Sequence, residues 1–411
     1  MASLTLAGIV YLLAVREFFR GRDPIRLRSG QVRATPAFPR RVIVIGLVLA
    51  AGWHLLFLRV PPGSDDDIHR YVWDGRVQRL GYNPYIVVPS DPALAGLHTP
   101  ETRTLNNPDL PSPYPAGAQL FFRAVTGIHE SIFAFRLAFV VCDVAIVLVL
   151  LDVLRRTGQG AHWVLAYAWN PLLAIEVAGS GHIDIVGALL LLVSFAALER
   201  RWRTLAALAF GLAVSVKFLP IVLLPLYWRR VRMRDAALAA IVVGLLYVPF
   251  LNHGRIPLGS LGTYVQSFRF NDPVFAILGR AASSQLVVVL AVLAGFLTAV
   301  WMRAVETKSA ASSAEAFAWP MAASLLCAPV VYPWYLLWVL PFVRSASTLP
   351  IIVWTVSMIP TYYVWHLRLL GRPWLLPGWI LLLEYGSVAM TAAIILARRI
   401  TRPDAPPRPV G

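Results

Sequence analysis

The chain is poor in cysteine, in lysine and in charge. Its only two cysteines, Cys142 and Cys327, both lie within apolar runs, which argues against a disulfide framework. Lys217 and Lys308 are its only lysines, so almost all of the net charge of +16 comes from arginine. Charged residues make up 14% of the sequence, against roughly 25% in soluble domains. Most of the arginines lie in short loops, so the sequence indicates neither a separate soluble domain nor nucleic-acid binding.

The sequence is instead rich in long apolar runs. The mean hydropathy is +0.66, and the runs of about 17 to 23 residues are each long enough to cross a bilayer as a helix. Two longer runs are best divided, 204–228 near Lys217–Pro220 and 315–343 at Pro329 and Pro333. About thirteen transmembrane helices result. The sequence therefore predicts an all-α protein in which residues 1–411 form one polytopic membrane domain.

The arginines predict how this domain is oriented. Short basic loops stay in the cytoplasm, and residues 20–41, 200–203, 229–234 and 398–411 are basic. This places the longest loop, 61–131, and a second loop, 252–283, outside. We expect a multi-pass protein of the inner or plasma membrane, with its active site on the extracytoplasmic side. Nothing upstream of the first helix fixes the direction of that helix.

The first outer loop contains the most charged stretch of the chain, Ser64–Tyr85. A helix that begins near Asp66 would place Asp67, Tyr71 and Asp74 on one face, at spacings of four and three. Three consecutive acids could simply cap this helix, because acids suit its first turn. Two acids would suffice for a cap, however, and like charges repel. The third acid therefore favours a site.

The rest of this loop predicts an ordered lid. Many prolines punctuate it, yet it is too rich in aromatic residues for a disordered segment. We expect two helices that lie at the membrane surface, near 66–80 and 116–130. Between them, Tyr85 and Tyr114 are predicted to pack over the site.

Further polar residues are predicted at the same outer membrane level. Each has an ordinary explanation, such as capping, snorkelling or an interfacial aromatic belt, and the belt is the preferred interpretation of Trp334 and Trp365. Together they resemble a sugar-phosphate site, because arginine and lysine bind phosphate, and carboxylates and aromatic faces bind sugars. The candidate binding residues outside the first loop are His182, Asp184, Lys217, Tyr335, His366 and Arg368.

Several motifs resemble the GT-C superfamily of membrane glycosyltransferases, most closely its bacterial mannosyltransferase-type branches. The motifs are Ser64–Tyr71, Trp73–Gly75, Gly81–Tyr85, His182–Asp184, Lys217–Pro220 and Pro333–Leu336. The resemblance implies a GT-C-like bundle and an acid in the first outer loop that acts as catalytic base. In such enzymes this acid often stands four residues before a tyrosine. Here that spacing from Tyr71 selects Asp67, and Asp66 is the close second. The resemblance also implies that Arg70 contacts the phosphate of the donor.

This resemblance implies transfer of a hexose, with mannose preferred, from a polyprenyl-phosphate donor to a lipid or glycan acceptor at the extracytoplasmic face. Inversion at the anomeric carbon is implied as well. The expected partners are the donor, the acceptor and membrane lipids. No cofactor is predicted, and a requirement for a divalent metal is left open. The alternatives are a transporter or flippase of lipid-linked sugars, whose charges should lie near the membrane midplane, and a glycan polymerase or ligase.

Overall fold

The computed structural model describes residues 2–20, 25–26, 32–33, 39–63, 67–252, 257–306 and 314–401. The helices are α1 (Ala2–Arg20), α2 (Arg40–Phe57), α3 (Asp67–Arg79), α4 (Ala116–Ile128), α5 (Ile132–Arg156), α6 (Trp163–Ala168), α7 (Pro171–Leu173), α8 (Asp184–Glu199), α9 (Arg203–Val216), α10 (Leu224–Tyr227), α11 (Met233–Tyr247), α12 (Leu261–Ser267), α13 (Pro273–Leu278), α14 (Ser284–Glu306), α15 (Glu315–Leu326), α16 (Leu349–Ser357), α17 (Tyr363–Leu369) and α18 (Gly378–Thr401). A π-helix spans Ala174–Gly179. Two short antiparallel strands, β1 (Ile25–Arg26) and β2 (Val32–Arg33), form the sheet found among the described residues.

Several helices are long and apolar enough to cross a membrane, as expected of a multi-pass membrane protein. Among the described residues five helices meet this criterion, and a sixth span results if the pair formed by Pro171–Gly179 and α8 is counted despite its bend of 119°. The predicted number of about thirteen spans is not confirmed. Many apolar runs are broken into short helices, because proline cannot continue the hydrogen-bond ladder of a helix.

Two of these breaks fall where the sequence predicts them. In the run 204–228, α9 ends at Val216, and a 3₁₀ helix follows at Leu219–Leu223. In the run 315–343, α15 ends at Leu326, and a 3₁₀ helix occupies Pro333–Trp338. Both breaks bring polar side chains to one cavity, described below.

The first outer loop contains the two helices predicted near 66–80 and 116–130, namely α3 and α4. They pack closely because Gly75 has no side chain: a Cβ there would lie 2.5 Å from the carbonyl oxygen of Phe122. The connection between them has a small apolar core made of Trp73, Val77, Leu94 and Leu105. Burial of this core orders a loop that contains little regular structure. The position of α3 and α4 at the membrane surface stays a prediction.

Candidate active site

One cavity of about 600 Å³ lies beside the first turn of α3. Its walls come from segments that are far apart in sequence. They include the loop before α4, the break after α9, helix α12 and the segments around Tyr332 and Trp365. Most of the lining is apolar or aromatic, and the charged groups that reach it are Asp67, Arg70, Lys217, Arg269 and Arg368.

Asp67 is the acid that reaches this cavity from the described part of the chain. It is the first residue of α3, and both of its carboxylate oxygens accept a hydrogen bond. Asn106 Nδ2 donates to Oδ1 and the Tyr114 hydroxyl donates to Oδ2, each over 2.7 Å. Burial, followed by the nearby charge of Asp67, holds the pKa of the Tyr114 hydroxyl well above its usual range. Tyr114 therefore keeps its proton and remains a donor.

Arg70, one turn further along α3, is 3% exposed and lines the same cavity. Its Nε donates to Asp74 Oδ1 over 2.8 Å, and its Nη1 donates to the Leu110 carbonyl over 2.9 Å. The other terminal nitrogen, Nη2, has no hydrogen-bond partner among the described residues. A buried N–H group without a partner is costly, so Nη2 is a donor suited to an incoming anion.

Lys217 enters the cavity from the break that ends α9. Its Nζ donates to Asp184 Oδ1 over 2.7 Å and lies 3.8 Å from the centre of the Tyr335 ring. The same Asp184 oxygen accepts from Trp338 Nε1 over 2.7 Å. Trp338 can approach this closely because Gly187 has no side chain: a Cβ there would lie 1.9 Å from the indole ring. The ammonium group is thus held between a buried carboxylate and an aromatic face.

Stacked rings form another wall of the cavity. Trp334 lies between His182 and Tyr332, with ring centres at 3.9 Å and 4.4 Å, and Tyr332 stacks in turn on Phe270. Trp334 is only 7% exposed, and both Trp334 and Trp365 line the cavity. Protein rings cover both faces of Trp334, whereas Trp365 has only tilted and edge contacts with its described aromatic neighbours. A position of the two tryptophans at a membrane interface stays a prediction.

The predicted site residues separate into three groups. Asp67, Arg70, Tyr114, Lys217, Tyr335 and Arg368 all line the cavity. A second group does not line it but lies behind it: Tyr71, Asp74, Tyr85, His182 and Asp184 are all buried. His366 is exposed and lies outside the lining, against the Tyr363 ring. Asp66, with Asp65, lies outside the described residues.

The buried predicted residues hold the lining groups from behind. Asp74 holds Arg70, and it also accepts hydrogen bonds from Ser112 Oγ and Gln119 Nε2. Tyr85 donates to the Tyr114 carbonyl over 2.7 Å. Asp184 is the first residue of α8, whose N-cap is Ile183, and its side chain pairs with Lys217. These residues are not part of the cavity lining, and a role for them in binding the substrate directly stays a prediction.

Sequence reasoning did not identify Asn106, Tyr264 or Trp374, which also line the cavity. The Tyr264 hydroxyl lies 2.5 Å from that of Tyr335, which joins α12 to the opposite wall. Asn106 and Trp374 lie in loops and Tyr264 lies in the short helix α12, and no local pattern marks any of them. No group of three metal-binding side chains suited to a metal ion is found in the described ranges.

Comparisons with known proteins give two similarities. A family model described as alpha-(1->6)-mannopyranosyltransferase, N-terminal domain, matches residues 4–232, which is more than half of the chain. No curated protein matches. Among solved structures, the chain is similar to the crystal structure of ArnT from Cupriavidus metallidurans bound to undecaprenyl phosphate. The identity is 15%, the similarity covers 88% of this chain and 72% of that one, and the TM-score is 0.46.

Proposed function

The chain belongs to the alpha-(1->6)-mannopyranosyltransferase family, which confirms the mannosyltransferase-type resemblance seen in its sequence, and from this membership we propose its reaction. The protein, a membrane glycosyltransferase, transfers mannose from a polyprenyl-phosphate donor to a hydroxyl group of a lipid or glycan acceptor. The transfer takes place at the extracytoplasmic face of the membrane.

One observation carries this proposal: a carboxylate and two firmly held cations line the same cavity. Asp67 provides the carboxylate, and Arg70 and Lys217 provide the cations. Asp74 and Asp184 bind these cations from behind, so neither cation depends on Asp67 for its position. A base and a phosphate site that are positioned independently are what transfer from a sugar phosphate needs.

Each of these three charged groups has a role in the proposed reaction. Asp67 accepts the proton of the acceptor hydroxyl while the acceptor oxygen forms a bond to the anomeric carbon of mannose. The bond between that carbon and the phosphate oxygen breaks, and its electron pair leaves with polyprenyl phosphate. Arg70 Nη2 and Lys217 Nζ stabilise the charge that develops on the departing phosphate. A single displacement of this kind inverts the anomeric carbon.

The apolar lining supports a donor with a lipid tail. Leu261 and Val265 of α12, Val288 of α14 and Leu325 of α15 all contribute to the cavity that contains Asp67. Helix α14 is one of the candidate membrane spans. An isoprenoid chain can therefore bury apolar surface against these side chains while its phosphate reaches the cations.

A product assay tests this function. The purified protein in lipid nanodiscs is supplied with a set of polyprenyl-phosphate sugars and candidate acceptors, and the products are identified by mass spectrometry. We expect a new mannoside that forms from the mannose donor and not from matched glucose or galactose donors. Movement of lipid-linked sugar across liposomes with no glycosidic product would instead identify a transporter.

A further inference from the structure

A short segment of the first outer loop, residues 106–114, lies along α3 and contacts its charged side chains; we call it the strap. Its two ends both bind Asp67, through Asn106 Nδ2 on Oδ1 and the Tyr114 hydroxyl on Oδ2. The two donors approach different oxygens of one carboxylate. They therefore fix the plane of the carboxylate and leave each oxygen with capacity for one more hydrogen bond.

The middle of the strap binds the next turn of α3. The Leu110 carbonyl accepts from Arg70 Nη1, and Ser112 Oγ donates to Asp74 Oδ2 over 2.5 Å. The second outer loop holds the strap in place, because Ser260 Oγ donates to the Pro111 carbonyl over 2.7 Å. The strap thus positions the acid and the cation relative to each other.

We propose that Asn106 is a positioning residue, which orients Asp67 so that Oδ1 can accept the proton of the acceptor. This inference rests on the proposed function. Tyr114 cannot do this alone, since one donor leaves the carboxylate free to rotate about its remaining torsion. The ring of Tyr114 is itself fixed by edge contacts with Tyr71 and Phe122, at 5.2 Å and 5.5 Å between ring centres. Asn106 supplies the second hydrogen bond, which fixes this torsion.

Two variants test the inference in the purified full-length protein. Asn106→Ala removes the donor, and Asn106→Asp keeps the shape but replaces the donor with a second carboxylate. The control is Asn83→Ala. Asn83 also orders this loop, donating to the Phe250 carbonyl over 2.8 Å, and it is not among the residues that line the cavity. Single-turnover transfer measures the chemical step in each variant, and titration with a non-transferable donor analogue measures binding.

We expect Asn106→Ala to lower kcat about tenfold and to leave donor affinity unchanged, the size of loss expected from one hydrogen bond to a charged group. In Asn106→Asp the loss should be larger, because the new carboxylate offers no donor and repels Asp67. Asn83→Ala should lower thermal stability and leave kcat unchanged. An unchanged kcat in Asn106→Ala, or an equal loss in Asn83→Ala, would overturn the inference.

Thermal unfolding separates this inference from the proposed function. Asn106→Ala, Asp67→Ala and the double variant give the coupling between the two residues, whether or not the protein forms a mannoside. We expect the losses of stability to be non-additive, and additive losses would show that Asn106 does not hold Asp67. A wild-type protein that forms no glycosidic bond refutes the proposed function, and the coupling then decides the inference. An equal loss of kcat and of donor affinity in Asn106→Ala would show a merely structural role.

Discussion

Replacing Asp67 with asparagine removes the proposed base and little else. Both of the bonds at this carboxylate can survive the change. The new amide oxygen can accept from Asn106, and the new amide nitrogen can donate to the Tyr114 hydroxyl, because a hydroxyl group both donates and accepts. We therefore expect Asp67→Asn to fold normally and to keep the shape of the cavity.

The size of the effect follows from this geometry. General base catalysis typically contributes ~10²–10⁴-fold, which corresponds to about 2.7–5.4 kcal/mol of activation free energy. The whole of this loss should appear in kcat. Arg70 and Lys217 are held by Asp74 and Asp184, so the phosphate site does not depend on Asp67. The affinity for the donor should accordingly stay within about threefold of the wild-type value.

Single-turnover transfer in nanodiscs measures the chemical step, and titration with a non-transferable donor analogue measures binding. Asp91→Asn is a matched control, because Asp91 lies in the same loop and only caps a short helix through the Ala93 amide. Asparagine caps equally well, so this variant should stay fully active. Asp66→Asn is measured in parallel. Full activity in both Asp66→Asn and Asp67→Asn would refute base catalysis by this acidic cluster.

Three further predictions follow from the positions of the other polar groups. Asp74→Asn should cost roughly 3 kcal/mol of unfolding free energy and weaken donor binding, since it leaves a buried guanidinium uncompensated; thermal unfolding with and without the donor analogue measures both. Lys217→Met should also lose donor affinity and stability. Adding Asp184→Asn should recover stability but not affinity, and recovery of both would contradict a phosphate role. Cysteines introduced at Ala95 and Ala405 should differ in intact cells, with the impermeant reagent reaching only the first; equal labelling would contradict the predicted topology.

The sequence predicts the chemistry of this site better than its geometry. The break that exposes Lys217 could be predicted from basic residues on both sides of one apolar run. The Arg70–Asp74 contact follows from helical spacing. In contrast, the sequence does not show that Asp74 and Asp184 face away from the cavity, because a charged residue in a motif can bind either a substrate or another side chain.

The residues missed by sequence reasoning share a physical cause. Asn106 lies 39 positions after Asp67 in the sequence. Their contact depends on the path of the loop between α3 and α4, which packs in an apolar core that includes Trp73. The sequence likewise does not show that Tyr332 and His182 cover both faces of Trp334. Such contacts are set by tertiary packing, which overrides local pattern. The predicted number of about thirteen spans is not confirmed, for the related reason that proline divides apolar runs into short helices.

The residues that line the cavity come from two parts of the chain, which can change independently. The acid and the two cations bound by buried acids all come from residues 4–232, the part that matches the family. The walls formed by α12, Tyr332 and Trp365 come from the part beyond it. The proposed base and phosphate ligands thus come from the first part of the chain, whereas the walls come from both parts. Substitutions in the second part can reshape what the cavity admits and leave Asp67, Arg70 and Lys217 unchanged.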